Sequence, residues 1–567
     1  MVVCNREKGN VMTRTQVPWR LSALALGAGL IGALAGCGGG GGGDGGASNS
    51  NTSNLVGSGN QLTLDVFGAR GGTLTAVSNN CQGDLQLTWQ SYNQSAVQQG
   101  SYIDDPDPSS PLLVRASCGF KTVVQTLAPQ KVFTSSSVFA ALNGDGSLAV
   151  WGSNRLGGDT SILKAQPSNV VQVAGSERAW AALQADGTVV TWGRPASGGN
   201  KDANGGVGST DFGPVAPLGK VSRIWPLKRG FVALNSDGSA TAWGNMEQIF
   251  DGNGGSSSMG TFFTAASLAN FNNIADVVYS EGAAAALKKD GTVVAWGDPA
   301  AGGDASAVAS QLNNVVKIYA TDYSFTALKK DGSVVTWGLN WDTENFYTGT
   351  EPMPQSNLSL LSNRSVIAAL SQNGLVSTIG SLFQDRGADL SGFSGGLSNV
   401  AKLFASKTAF AALKKDGTVV SWGDSQRNNV ASVQAQLRDV ATVASTETAF
   451  AALKKDGTVV AWGDETRGGD ASAVQAQLNN VVALFANDYA FAALKKDGTV
   501  VTWGAAAHGG DSSAVQAKLQ NIRAIYSTDL GGFLAVAKDG KLVNWGSPSA
   551  GGGALPANLT TIPYLKS

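Results

Sequence analysis

The stretch AFAALKKDGTVVTWG, residues 490–504, decides the fold. It recurs almost letter for letter as AFAALKKDGTVVSWGD at 409–424 and AFAALKKDGTVVAWGD at 449–464. Each copy joins two apolar runs through Asp-Gly (Asp416-Gly417, Asp456-Gly457, Asp497-Gly498) and ends on a tryptophan, Trp422, Trp462 or Trp503. Asp-Gly between apolar runs is a strong hairpin signal, because a type I′ turn needs positive φ at both central residues. Such a turn predicts Lys496 opposite Thr499, Leu494 opposite Val501 and Ala492 opposite Trp503. Leu494, Val501, Ala492 and Trp503 then share one face, and Phe491, Ala493, Val500 and Thr502 the other. A sheet that is apolar on both sides must be covered on both, as a blade is by its neighbours.

Weaker copies end at Trp151, Trp192, Trp243, Trp296, Trp337, Ile379 and Trp545, which brings the count to ten. Successive copies are 41, 51, 53, 41, 42, 43, 40, 41 and 42 residues apart. A fixed motif at such a period means an array or a propeller. Before the hairpin, Val481 to Phe485 reads as another strand. After the tryptophan comes Gly468-Gly469-Asp470, then SAVQAQL at 472–478, read as one helical turn capped by Asp or Ser. The fold class is all-β, a propeller-like array of ten hairpin repeats of about 40–53 residues, preceded by a small β-sandwich-like module.

The motif apolar-Ala-Leu-x-x-Asp-Gly-x-Val-x-x-Trp-Gly resembles the repeat of the regulator of chromosome condensation family, over residues 129–567. That resemblance implies a β-propeller with one repeat per blade, commonly seven blades. The repeat length is closer to the blades of a secreted bacterial β-lactamase inhibitor protein of that fold. Ten copies depart from seven, so a ten-bladed ring, a smaller ring with extra repeats and an open array all fit. The tail Leu559 to Leu565 resembles the first strand of another unit and could close a ring against the first blade.

The N-terminus carries an export pattern. Arg14 and Arg20 precede the apolar run Leu21 to Ala33, and Leu34-Ala35-Gly36-Cys37 follows. A basic start, a short apolar stretch and small residues before a cleavage point describe a secretory signal. The run is too short to span a bilayer well, since about 20 residues are needed. Leu-Ala-Gly-Cys resembles the lipobox of bacterial lipoproteins. The resemblance implies removal of residues 1–36, a diacylglycerol thioether on Cys37 and acylation of the new amine by a chain such as palmitate. Met12 is a plausible start that would remove Cys4, and the resemblance implies the bacterial outer membrane, because Gly38 stands where inner-membrane lipoproteins carry Asp. Residues 37–54, the modified cysteine and GGGGGGDGGASNSNTSN, form a flexible tether with a reach of roughly 20–25 Å.

Residues 55–128 switch to period-two patterning, with Leu62, Leu64 and Val66, then Leu85, Leu87 and Trp89. Cys81 and Cys118 are the cysteines left after processing, and an exported compartment permits a bridge between them. A metal or redox pair is the alternative and lacks partners nearby.

Catalytic signals are thin. Lys and Arg number 40 against 41 Asp and Glu, a balance that gives no electrostatic case for nucleic acid. The one histidine, His508, excludes a multi-histidine zinc site, and no Ser/His/Asp arrangement is supported. The segments from Asp202 to Gly206 and Asp251 to Gly255 resemble the opening of a calcium loop without its closing Glu. No cofactor is expected. The recurring Asp, Gly and Trp are turn and packing residues, because a catalytic group would be unique. The Lys-Lys pairs beside the turns read as a solvated rim. Departures from the repeat are more informative: two inserts after Trp192 and Trp243, and LNWDTENFYTGTEP after Trp337, which brings Trp341, Phe346 and Tyr347 as candidate binding residues. The leading expectation is a protein-binding or scaffolding propeller on the outer membrane, with a protein partner to be found and the membrane reached through lipid. A lectin-like propeller is the alternative, and a carboxylate-based carbohydrate enzyme a weaker one. Nucleotide exchange on a GTPase, the best-known activity of the resembled family, is not expected of an exported chain.

Overall fold

The computed structural model describes residues 61–91, 96–105, 107–161, 163, 166–199, 218–244, 271–340, 345–351, 359–379, 387–393, 396–424 and 427–562. Two small sheets come first. Strands β1 (Thr63–Phe67), β2 (Thr73–Asn79) and β5 (Tyr102–Asp104) form one, in the order β1-β2-β5. Strands β3 (Leu85–Ser91), β4 (Val97–Gln99), β6 (Leu112–Cys118) and β7 (Lys121–Leu127) form the other, in the order β4-β3-β6-β7. The sheets enclose Leu64, Val66, Leu74, Trp89, Leu112 and Val114, the alternating apolar positions of their strands. Cys81 and Cys118 are joined in a disulfide. In the chain-entropy model a bridge of this span stabilises by about 3–4 kcal/mol.

The ten repeats form ten antiparallel sheets, each with an inner, a middle and an outer strand. In the ninth blade these are Val481–Ala486, Ala490–Lys495 and Val500–Gly504. The hairpin register differs by one residue from that predicted. Leu494 pairs with Val500, Ala493 with Val501, Ala492 with Thr502 and Phe491 with Trp503. The turn is a three-residue one, in which Gly498 has positive φ (82°) and Asp497 does not. The Asp497 side chain instead closes the turn, its Oδ1 accepting from Thr499 N (2.9 Å) and Oγ1 (2.6 Å). Three-residue turns with glycine in the left-handed region are the next commonest hairpin loops, and the extra residue exchanges the faces. Gly457 shows a second reason for glycine here, since a Cβ would meet the Asn480 backbone at 3.1 Å.

The corrected register gives each blade two unlike faces. Phe491 and Trp503 stack at 5.1 Å on one face and enter a cluster with Ala449, Ala451 and Leu453 of blade eight. The other face presents Ala490, Ala492, Leu494 and Val500 to Phe533 and Trp545 of blade ten. Large rings on one side meet small side chains on the next. The same Phe–Trp stack occurs in blades one, five, seven, eight and ten. Blade six has Ile367 opposite Ile379 instead. In most blades a glycine after the preceding outer strand locks the junction: Trp503 Nε1 donates to Gly468 O at 2.9 Å, and a Cβ on Gly468 would lie 2.6 Å from the Phe491 ring. The SAVQAQL segment is a 3₁₀ helix, Ser472–Gln477, and Asp470 Oδ1 accepts from Ser472 N at 2.8 Å.

The ring closes. Trp151 of blade one donates to Gly551 O, which follows blade ten, at 3.0 Å, and Gly551 packs on Phe139. Asn143 at the end of the first blade's middle strand donates to Asn558 O (3.1 Å) and accepts from Thr560 N (3.1 Å). Ile562 N donates to Gly540 O at 3.0 Å, as Ile522 N does to Gly498 O at 2.9 Å one blade earlier. The tail thus supplies the beginning of the first blade's inner strand, and Val132–Thr134 supplies its end. Inner strands of successive blades lie side by side around the whole ring and line a central channel.

Ten blades leave a wide channel, and the N-terminal module enters it. At about 8–10 Å between neighbouring sheets, ten inner strands enclose a circle roughly 25–30 Å across. The turn between β1 and β2 fills one sector. Phe67 is fully buried among Val482, Ala483, Ile522 and Ile525, and Gly68 N donates to Arg523 O at 2.8 Å. Arg70, almost wholly buried, pairs with Asp105 at 2.6 Å and donates to the carbonyls of Ala128, Asp107 and Ser110. This joins the inserted turn to the start of blade one. Tyr526, partly buried beside Arg70, has its phenol pushed up to about 12, chiefly by desolvation.

The junction geometry predicts unequal costs for one substitution. Trp503→Phe strands the Gly468 carbonyl and should destabilise by about 1–3 kcal/mol. In blade eight, Trp462 N–H has no acceptor among the described residues, and Asn428-Asn429 stands where other junctions carry the glycine pair. Trp462→Phe should therefore cost less than Trp503→Phe by about 1 kcal/mol in denaturant titrations, and equal losses would refute the assigned bond.

Candidate binding site at the channel mouth

The turn from inner to middle strand is the same physical device in most blades. A Ser, Thr or Asn at its start turns its side chain back onto the backbone. Ser176 Oγ accepts from Ala179 N at 3.0 Å, and Asn487 Oδ1 accepts from Ala490 N at 2.8 Å. The next residue projects toward the channel axis and is charged in nine blades: Glu177, Lys228, Glu281, Asp322, Arg364, Lys407, Glu447, Asp488 and Asp529, with Ser136 in blade one. Together these turns line a cavity of about 690 Å³ at one end of the channel, with residues from every blade.

Backbone bonds knit the turns together. Asp322 N donates to Arg364 O (2.8 Å), Lys407 N to Glu447 O (3.0 Å), Asp488 N to Asp529 O (3.0 Å) and Leu530 N to Ser136 O (2.8 Å). Between blades three and four the link is a Lys228–Glu281 ion pair. The side chains form two charge networks. Glu177, Lys228, Arg229 and Glu281 make one. In the other, Arg364 bridges Asp322 (3.8 Å) and Glu447 (3.4 Å), and Lys407 bridges Glu447 (3.7 Å) and Asp488 (2.6 Å). Arg467 also pairs with Glu447 and lies over the Tyr489 ring, on which His508 stacks at 4.2 Å. Burial and Arg467 hold His508 below its usual range.

Asp529 differs from the other carboxylates of the cavity. It has no ion-pair partner among the described residues and accepts a hydrogen bond from Ser136. Asp529 is exposed at the mouth, yet the crowding turns strip part of its water, and this desolvation, then the Asp488 charge, pushes its carboxyl above the usual range. Tyr279 is the one large aromatic at the mouth end of the inner strands, where other blades carry Thr134, Gly175, Ala320, Ser362, Ala405, Ser445 and Ala486. Although exposed, it is partly desolvated by the turns around it, and this, then Asp529 and Glu177, pushes its phenol up. The mouth is a polar basin with more acids than bases, suited to a polar or cationic surface group and not to an apolar ligand.

Of the candidate residues chosen from the sequence, Phe346 and Tyr347 stand elsewhere. LNWDTENFYTGTEP builds a fourth strand, Asn345–Glu351, on the outer edge of blade five. Phe346 pairs with Leu339 and Tyr347 with Gly338. Trp341 lies outside the described residues, as do Asp202–Gly206 and Asp251–Gly255. The paired ends Asn340 and Asn345 stand at the mouth end of the blade, because neighbouring Gly338 pairs with Ser324 at the start of the middle strand. Turn aspartates Asp416, Asp456 and Asp497 close their own turns through Thr418, Thr458 and Thr499, which lowers their carboxyls. Among the described residues no group of three or more His, Cys, Asp or Glu is placed to hold a metal ion. The mouth charges escape a sequence reading because their sign changes from blade to blade. The signal was a fixed position: Ser280-Glu281, Thr321-Asp322, Ser406-Lys407, Thr446-Glu447 and Thr528-Asp529 all stand just before the middle strand.

No family model and no curated protein matches the chain. Solved structures similar to it include Prp20p from Saccharomyces cerevisiae, at 16% identity over 61% of this chain and 83% of that one, TM-score 0.31. The CRINKLY WD40 ectodomain of the Arabidopsis thaliana receptor kinase ACR4 matches at 17% identity over 48% and 90%, TM-score 0.26. The WD40 β-propeller domain of Doa1 matches at 18% over 44% and 83%, TM-score 0.23. The fold rests on the chain's own geometry, a closed ten-bladed β-propeller.

The two kinds of shifted carboxyl have opposite pH signatures. Asp529 is raised in the fold, so ionising it costs stability, a cost absent below its unfolded pKa of about 3.9 and complete above its raised value. Asp529→Asn should raise the melting temperature at neutral pH and leave it unchanged in acid. The turn aspartates are lowered, so the stability they confer is present above about pH 4 and is lost as pH falls. Thermal melts across this range check both signs.

Proposed function

We propose that this chain is an exported bacterial lipoprotein of the outer membrane whose propeller binds a protein partner through the mouth face of the ring. The observation that carries the reading is the basin itself, one projecting turn from each blade, networked by ion pairs. Rigid turns carrying both signs of charge offer register and partner discrimination more than bulk affinity. The paired ends of the blade-five hairpin stand on the same face and extend it outward. The anchor rests on Leu34-Ala35-Gly36-Cys37 and the glycine tether behind it. No helix among the described residues is long and apolar enough to cross a membrane.

Two experiments test the parts separately. Crosslinking and affinity purification from intact cells should return one protein partner, and charge reversal by Asp488→Lys with Asp529→Lys should weaken its binding at least about tenfold, ~1.4 kcal/mol. Unchanged binding, or capture of glycans in its place, would overturn the protein-binding mouth. Cys37→Ala should release the chain from the membrane fraction, and retention there would contradict lipidation.

A further inference from the structure

The module's two ends differ in kind. The β1–β2 turn enters the channel, while β2 runs outward to Asn79, whose Oδ1 accepts from Lys496 Nζ at 2.8 Å. Lys496 belongs to the Asp-Gly turn of blade nine, so the module stands on the face of the ring that carries those turns, opposite the mouth. Beyond Asn79 come Cys81 and its partner Cys118, then the tight turn Gly119-Phe120. Phe120 is fully exposed and Leu85, paired with Cys118, is exposed beside it. The described chain enters at this same end, where Asn80 Nδ2 donates to Gln61 O at 2.9 Å. An exposed aromatic tip beside a disulfide, at the end where the described chain begins, is not explained by the packing of the module.

The Asp-Gly face has a matching charge. Blades four, five, seven, eight and nine each carry two lysines and one aspartate at this turn, and blade ten carries Lys538, Asp539 and Lys541. Each such turn keeps one net positive charge, because hydrogen bonds from Thr, Ser or Lys hold its aspartate ionised. Lys289, Lys330, Lys415, Lys455 and Lys538 are exposed. Blades one to three carry aspartate without lysine, so the positive sector includes the blades on which the module stands. Anionic headgroups attract basic residues held near the surface, and an aromatic tip buries at the interface.

We propose that the Asp-Gly face and the Phe120 tip together dock on an anionic phospholipid surface, with the channel mouth turned away from it. The proposal rests on the lipid-anchor reading for the nearness of a bilayer, since residues 38–60 reach roughly 25 Å from Cys37. The test uses the purified full chain carrying Phe120→Trp, reconstituted into phosphatidylcholine vesicles with or without phosphatidylglycerol, with some acyl chains brominated near the headgroup. The added indole should be quenched beyond the wild-type signal only with phosphatidylglycerol present. Lys415→Gln with Lys455→Gln, or salt near 1 M where screening shortens to about 3 Å, should remove the extra quenching. Quenching no greater than that of wild type on anionic vesicles overturns the docked tip, and quenching indifferent to the lysine substitutions overturns the docking face. Intact mass at Cys37 is a separate readout. Absence of acyl chains there would sink the anchor alone, and anion-dependent quenching would still uphold the docking surface.

Discussion

Each blade is apolar on both faces, and the faces are unequal. One carries the Phe–Trp stack, as Phe491 and Trp503 do, and the other carries small side chains such as Ala490 and Ala492. A pair of large rings needs a shallow, small-residue surface to lie on, and only the neighbouring blade offers one. No blade can satisfy both faces alone, and an open row would leave one face bare at each end. Closure is therefore a requirement of the side chains. The tail answers it: Gly551 meets Trp151 and Phe139 as Gly468 meets Trp503 and Phe491.

Ring size then determines what the channel must hold. Every blade added moves the inner strands farther from the axis, and a polypeptide channel this wide would leave Phe485 and Tyr526 facing water. The module resolves this by burying Phe67 and anchoring Arg70 among buried carbonyls. It enters from the Asp-Gly side and leaves the other end of the channel as an open polar basin. The two faces consequently differ in charge and in freedom. On the mouth side the charges other than Asp529 are held in ion-pair networks; on the Asp-Gly side the lysines are exposed.

How much of this was legible in the sequence depended on whether a feature repeats. The period, the inner strand before each hairpin, the turn Asp-Gly and the packing tryptophan recur ten times or nearly so, and the blades are where they were expected. The register was off by one, because Asp-Gly suits both a two-residue and a three-residue turn. The Asp497 carboxylate, which caps its own turn, decides between them. Blade number and closure were legible only as one of three arrangements: the tail from Leu559 resembled a first strand, but only the fold shows Ile562 joining the inner strand that Val132 belongs to, 400-odd residues earlier in the chain. The basin was missed because a glutamate in one copy is a lysine in another, and aligned repeats make such a position look unconstrained. The aromatic insert drew attention to Phe346 and Tyr347, which lie on the outer edge of blade five, away from the channel.

The junction between the first and last blades is the most direct place to test the closed ring. Asn143 and Thr560 are bonded side chain to side chain at 2.9 Å across it. With Asn143→Cys and Thr560→Cys in one chain, mild oxidation at high dilution and peptide mapping should recover a disulfide between positions 143 and 560 within single molecules. Recovery only of reduced thiols, or of links between different molecules, would contradict the closed ten-bladed ring.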